Sequence, residues 1–211
     1  MPYYIVKQGD CMNSIAAETG FFWNTLWSHE ANRNLRESRQ DPNVLMEGDQ
    51  VFIPDKRKRD EACAPTMRHT FQLKGVPCRL NLRLLDSSSK PRAGLNYTLV
   101  VDGATMRGTT PADGLITKIV APNANKAELT VTTPDGDEKY TLNLAYLNPV
   151  EYASGVQARL KNLGFFKPAI SGEYDDDTAE GIRKFQHQNG LPETGQPDDA
   201  TKQALKQAHG C

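Results

Sequence analysis

The chain has 211 residues, enough for two or three small domains, each with a modest core of its own. Apolar residues make up 38% and charged residues 24%, the balance of a folded globular protein. A formal net charge of -1 removes the basic surplus that nucleic-acid and membrane-surface binders carry, and no stretch nears the roughly 18 consecutive apolar residues of a membrane helix.

In chain order, a short β-like run, Tyr3 to Val6, is broken by Gly9-Asp10. The pattern then predicts a helix over Met12 to Thr19, with Ile15 and Ala16 inward, Asn13 able to cap and Gly20 ending it. A second helix is expected from Asn24 to Asn32, with Trp23, Leu26 and Trp27 as its buried face. Asp41-Pro42-Asn43 and Gly48-Asp49 read as turns, and Val51 to Ile53 as a closing strand. Residues 1–55 thus form a β-α-α-β module. The run Lys56-Arg57-Lys58-Arg59 is answered at once by Asp60-Glu61, so residues 56–68 read as a solvated linker.

Over residues 69–148 the period changes to two. Leu80, Leu82 and Leu84 alternate with polar residues, as do Tyr97, Leu99 and Val101, then Leu129 and Val131, then Tyr140, Leu142 and Leu144. Asp102-Gly103, Asp113-Gly114 and Asp135-Gly136 are tight-turn signals between such runs. About seven half-buried strands need a second sheet to cover them, so an antiparallel β-sandwich is expected.

Residues 149–211 return to helical period. Tyr152, Val156, Leu160 and Leu163 form one stripe, stopped by Gly164. Asp177 is expected to cap the next helix, with Glu180 reaching back and Ile182 and Phe185 inward; Asn189-Gly190 ends it. Asp198 is expected to cap a last helix with Thr201, Leu205 and Ala208 on one side. The fold class is therefore multidomain α+β: a β-α-α-β module, a central antiparallel β-sandwich and a C-terminal three-helix module.

Three resemblances follow. On Tyr4-Ile5-Val6-Lys7-Gln8-Gly9-Asp10, Ser14-Ile15-Ala16 and the run from Asn43 to Pro54, the first module resembles a LysM domain. Its centre, Trp27 to Pro42, is longer than usual for that family, and Cys11 and Met12 stand where many members carry Thr and Leu. The last module resembles the three-helix peptidoglycan-binding domain, on Val156-Gln157-Ala158-Arg159-Leu160, Leu163-Gly164-Phe165, Gly172-Glu173-Tyr174, Thr178, Phe185-Gln186, Asn189-Gly190-Leu191, Thr194-Gly195 and Thr201 to Leu205. The middle block resembles a transthyretin-like or carboxypeptidase-regulatory sandwich, from Pro91-Arg92-Ala93-Gly94 to Asp113-Gly114. The combination is similar to proteins that accompany contractile injection machines, such as type VI secretion spikes or phage-like tails. Such export would suit a chain whose start, Met1-Pro2-Tyr3-Tyr4-Ile5-Val6-Lys7, has no apolar run of signal-peptide length.

The LysM resemblance implies a shallow groove for N-acetylglucosamine units, formed by Gly9, Asp10, Cys11, Met12 and Asn13 on one side and Asp41, Asn43, Val44 and Leu45 on the other. The residues themselves leave two readings of Asp10, groove or helix cap, and two of Trp23 and Trp27, sugar stacking or core. In the last module the expected peptidoglycan surface is Gly172, Tyr174, Asp175 and Thr178, with Gln186 and Asn189 nearby.

Catalysis is not expected. Asp175-Asp176-Asp177 stands where a helix N-terminus favours carboxylates. His29, His69, His187 and His209 are scattered, and Cys78 with His69 is the only Cys/His pair within the middle block. Cys11, Cys63, Cys78 and Cys211 show no zinc spacing, and either a Cys63–Cys78 staple or independent thiols fits them. The expectation is a non-catalytic adaptor acting at the cell wall or in the periplasm, with peptidoglycan as partner and no cofactor, metal, nucleic acid or membrane. Spike or tail proteins of an injection machine are the alternative partners, and a cell-wall hydrolase is the least favoured reading.

Overall fold

The computed structural model describes residues 3–56, 62–70 and 78–210. Strands β1 (Tyr3–Ile5) and β2 (Gln50–Phe52) form a two-stranded sheet. Helix α1 spans Met12–Thr19 and buries Met12, Ile15 and Ala16, one face at helical spacing. Gly20, at φ 74°, lets the Phe21 N–H turn back to the Ala16 carbonyl at 2.8 Å and close the helix. Asn13 lies inside α1 and not at its cap.

The single helix expected from Asn24 to Asn32 is two pieces. Helix α2 covers Trp23–Trp27, and a 3-10 turn, Glu30–Asn32, leads into α3, Arg33–Arg39. The break is at His29, which is extended and accepts the Ala31 N–H on its ring nitrogen. Its cause is Asn32, which is 1% exposed. The Asn32 amide donates to the carbonyls of Leu26 (2.8 Å) and Phe52 (3.0 Å) and accepts the Phe52 N–H (2.7 Å). It thereby behaves as a fragment of strand beside β2 while ending α2, and a continuous helix would forgo all three bonds. Leu26 and Trp27 are buried; Trp23 is only half-buried.

By packing, the chain divides into two compact units. One contains the residues up to Tyr4, Met12–Arg33 and Gln50–Leu144; the other contains Ile5–Cys11, Asn34–Asp49 and everything from Ala145.

In the first unit, β3 (Cys78–Arg83) pairs with β6 (Leu115–Val120), and a four-stranded sheet runs β5 (Ala104–Thr109), β4 (Asn96–Val101), β7 (Lys126–Thr133), β8 (Gly136–Asn143), all antiparallel. The inward residues of both sheets share one core: Tyr97, Leu99, Val101, Ile116, Leu129 and Val131 are buried, with Leu80, Leu82 and Leu142 packed against them. Among the described residues the block has six strands, and residues 71–77 of the expected sandwich lie outside the description.

Asp102-Gly103 makes the expected hairpin, both residues at positive φ. Asp113-Gly114 does not: it joins β5 to β6, which belong to different sheets. The β7–β8 turn is centred on Pro134-Asp135, because Thr133 already pairs with Gly136. Tyr140, expected inward, is 40% exposed. Its hydroxyl donates to Glu138 (2.6 Å), which receives two bonds from Arg92 (2.7 and 3.0 Å). The guanidinium holds the Glu138 carboxyl below its ordinary range.

In the second unit, α4 (Ala153–Asn162), α5 (Asp176–Gln188) and α6 (Asp199–His209) enclose Val150, Val156, Leu160, Phe166, Ile182, Phe185 and Leu205. Gly155 permits the start of α4 to lie against the chain before it, since a Cβ there would sit 2.0 Å from the Pro149 carbonyl oxygen. Two expected stripe residues face out: Tyr152, which precedes α4 at its cap and is 41% exposed, and Ala208, exposed on α6.

Candidate functional site

The two loops that join the C-terminal helices are held by the same device. Gln157 on α4 is fully buried. Its side-chain NH2 has the Ser171 hydroxyl (2.9 Å), the Glu173 carbonyl (2.8 Å) and the Thr178 hydroxyl (2.8 Å) within reach of its two hydrogens; its oxygen accepts the Gly172 N–H (2.9 Å). Gln186 on α5, equally buried, has the Thr194 hydroxyl (3.0 Å), the Gln196 carbonyl (3.0 Å) and the Thr201 hydroxyl (2.9 Å) within reach of its two N–H hydrogens, and accepts the Gly195 N–H (2.9 Å). A buried amide so engaged fixes its loop, because each bond lost would strand a polar group away from water.

Each loop ends in an aspartate cap. The Asp175 carboxylate accepts the Thr178 N–H at 2.8 Å, and the Asp198 carboxylate the Thr201 N–H at 2.8 Å. In both, the bond from the threonine hydroxyl and then that from its N–H pull the carboxyl below its ordinary range. The expected cap, Asp177, stands inside the first turn of α5, and Glu180 pairs with Lys184 one turn on instead of reaching back. The sequence carries the duplication openly, as Ser171-Gly172-Glu173-Tyr174-Asp175 with Thr178 and Thr194-Gly195-Gln196-Pro197-Asp198 with Thr201. The internal repeat is the signal that marks Gln157 and Gln186 as loop anchors and Thr178 and Thr201 as their partners; periodicity alone places Thr201 only on the inward side of α6.

Of the residues expected on this surface, Gly172, Tyr174, Asp175 and Asn189 are exposed, whereas Thr178 and Gln186 are fully buried. The Asn189 amide bonds back to the Phe185 carbonyl (2.8 Å) at the end of α5. Tyr174 is 50% exposed, and partial burial followed by the charge of Glu151 pushes its phenol up. Glu151 in turn faces the Lys206 ammonium at 3.4 Å. The surface therefore offers an aromatic ring edged by one carboxylate and one ammonium.

His209 closes the far end of this module. Its ring nitrogen lies 2.9 Å from the Asn162 amide, and burial followed by the charge of Arg159 pushes its pKa down to about 4. Arg159, 1% exposed, donates to the carbonyls of Asn148 (2.8 Å) and Gly155 (2.9 Å).

In the N-terminal groove residues, Gly9 (φ 91°) completes a turn in which the Asp10 carboxylate accepts the Lys7 N–H at 2.9 Å. Asn13 is half-buried, and the side chains of Cys11, Met12, Val44 and Leu45 are buried at 5%, 0%, 4% and 5% exposure. Asn43 is exposed, and Asp41 accepts its N–H at 2.7 Å. Arg39, which the sequence did not single out, forms two bonds of 2.8 Å to Asp49 and lies 5.7 Å from the centre of the Tyr152 ring. Asp49, first, and then Tyr152 hold this guanidinium in its charged form.

No group of three His, Cys, Asp or Glu side chains that could hold a metal occurs among the described residues, and no disulfide links Cys63 to Cys78. His69 meets the Ala64 carbonyl at 2.9 Å, and His187 pairs with Glu193 at 2.7 Å on an open surface. No described helix is long and apolar enough to cross a membrane.

Neither the curated proteins nor the solved structures contain a match to this chain. A family model for a peptidoglycan binding domain matches residues 154–205, from the first turn of α4 to Leu205 in α6. The C-terminal region, with its two glutamine-held loops, is a peptidoglycan-binding domain.

Proposed function

We propose that the protein is a non-catalytic adaptor that grips peptidoglycan through both ends of the chain. The observation that carries this reading is the domain at 154–205, whose loops are rigidly held while Tyr174 stands out from them. Ring faces of this kind stack on sugars and acyl chains, and the neighbouring Glu151 and Lys206 complement the amines and carboxylates of stem peptides.

A second grip of LysM type is supported by the order β1, α1, α2, β2, with the lengthened centre folded as the 3-10 turn and α3. Because Cys11, Val44 and Leu45 are buried, contact with N-acetylglucosamine in this module falls to backbone groups of Gly9–Cys11 and 41–45 and to exposed Asn43. Two weak sites on one chain gain from a repeating polymer, since engagement of the first raises the effective concentration of the second. The protein then acts at the cell wall, and its modules fall at 1–55, 69–148 and 149–211.

Co-sedimentation of the full chain with purified sacculi tests the reading. Pelleting that weakens in Tyr174→Ala and in Asn43→Ala supports it; failure to pellet at any salt concentration rejects it. Chromatography of the supernatant tests for hydrolysis, and new soluble muropeptides would replace the adaptor by an enzyme. The lengthened centre, Trp27 to Pro42, is the ground for a second reading, as a component of a contractile injection machine. That reading requires capture of a purified spike or tail protein by the chain, and fails without it.

A further inference from the structure

Three neighbouring strands of the four-stranded sheet surround a groove of about 410 Å³ on its outer side, lined by Asn96 and Thr98 of β4, Arg107 and Thr109 of β5 and Thr132 of β7. The register sets these side chains on one face: Asn96 lies opposite both Thr109 and Thr132, and Thr98 lies opposite Arg107. Their chain neighbours Tyr97, Leu99 and Val131 fill the core on the other face. On that inner face Gly108 lies opposite Tyr97, and a Cβ there would come within 2.6 Å of the Tyr97 hydroxyl, so the glycine lets that ring lie close across β5. The groove is shallow and open to solvent, so a ligand there would be held by polar groups at its surface and not by enclosure.

The lining has a definite chemistry. Its one charged group is the Arg107 guanidinium, which forms no ion pair among the described residues, and no carboxylate lines the groove. The Thr109 hydroxyl donates to the Asn96 oxygen at 3.1 Å, which turns that amide into a donor toward any ligand. Thr98 and Thr132 add hydroxyls. Threonine suits any exposed strand position, but a lone cation framed by amide and hydroxyl groups goes beyond what strand formation requires. A guanidinium fork matches a carboxylate; the amide and hydroxyls match the acetamide and hydroxyl groups of an amino sugar.

We propose that this outer sheet face is a binding site for a carboxylate-bearing N-acetylated saccharide. The proposal rests on the wall-binding reading above, which supplies a polymer whose alternate sugars carry a lactyl group, its carboxylate free where the stem peptide has been cleaved away, and it gives the central block a part in binding such bare strands. Charge complementarity to Arg107 selects this sugar over its neutral neighbour.

The probes are N-acetylmuramic acid and N-acetylglucosamine, titrated separately into the isotope-labelled full chain while amide resonances are followed. The acid is expected to shift the amides of residues 96–98, 107–109 and 132, and the neutral sugar to need about tenfold more for the same shifts. Arg107→Gln and Asn96→Ala, two variants at exposed positions, are each expected to weaken the response to the acid with the remaining spectrum unchanged. No shift at about 10 mM acid, equal response to the two sugars, or an undiminished response in both variants would overturn the site. Sacculus pelleting separates this failure from that of the parent reading. Wild-type chain that pellets but ignores the acid loses only the sheet site; chain that binds the acid but never pellets loses the wall-binding reading.

Discussion

The loop anchored by Gln157 and the loop anchored by Gln186 are near copies, yet they end in different tips. The first lifts Glu173 and a half-exposed Tyr174 away from the domain; the second carries Gln196 and Pro197 at the same places. The shared glutamine and threonine of each loop are buried and hydrogen-bonded, and Glu173, Tyr174 and Gln196 among the unshared residues face water. The difference separates what builds the domain from what the domain presents, and it can be tested at each level.

The largest effect is expected in the anchors. Gln157→Ala leaves the Gly172 N–H and the Thr178 hydroxyl without their buried partner and opens a void, for a loss of about 3 kcal/mol. Gln186→Ala should match it within about 1 kcal/mol. Denaturant unfolding with amide exchange at Leu160, Ile182 and Leu205 measures both, and a large inequality would end the claim of equivalence.

His209 belongs to neither loop and sets the pH limit of the scaffold. Its native pKa is held near 4 against about 6.5 in the unfolded chain, so the unfolded state takes up the proton first. Stability contributed by the neutral ring is complete above about pH 6.5 and is lost as the pH falls towards 4. With allowance for partial exposure the loss is of order 2 kcal/mol, and it should be absent in His209→Gln. A pH series of unfolding curves that is flat over this window in the wild type would refute the burial of the ring.

Smaller effects belong to the caps. Asp175→Ala and Asp198→Ala should each lower the melting temperature by roughly 3 °C, equally for the two loops. Both carboxyls are held low in the native state, so this contribution is present above the ordinary carboxylate range and disappears as acid protonates them. Thermal melts of the two variants at neutral pH and at low pH would reveal any asymmetry.

Least of all should the tips matter for folding. Tyr174→Ala and Pro197→Ala are expected to change stability by less than about 0.5 kcal/mol. Only the tyrosine change should reduce binding to sacculi, by roughly tenfold if the ring is an anchor. Equal binding by the two variants would erase the functional distinction between the loops.

Much of this was legible beforehand, for reasons that differ along the chain. Helix α1 was read at its observed bounds because Met12, Ile15 and Ala16 declare one face and Gly20 declares the end. The central strands announced themselves by alternation, and Asp102-Gly103 by the φ it demands. What escaped were features set by distant partners. Nothing local says that Asn32 will serve as a piece of strand for Phe52, so the pattern alone extends the second helix too far. Three consecutive aspartates cannot be ranked as caps without knowing where Thr178 turns its N–H, and Asp175 was missed in favour of Asp177. Gln186 looks like a surface residue in the sequence because glutamine usually is one; only its partners in the loop and at the start of α6 explain its burial.

Arg39 has a consequence for how the molecule responds to damage. The segment 34–49 and the region from Ala145 onward belong to one packed unit, held in part by Arg39, which Asp49 fixes and which lies against the Tyr152 ring. Covalent continuity between them is therefore not what keeps them together. A protease that nicks the exposed stretch around Cys63 would yield two polypeptides on a denaturing gel that still travel as a single species under native conditions.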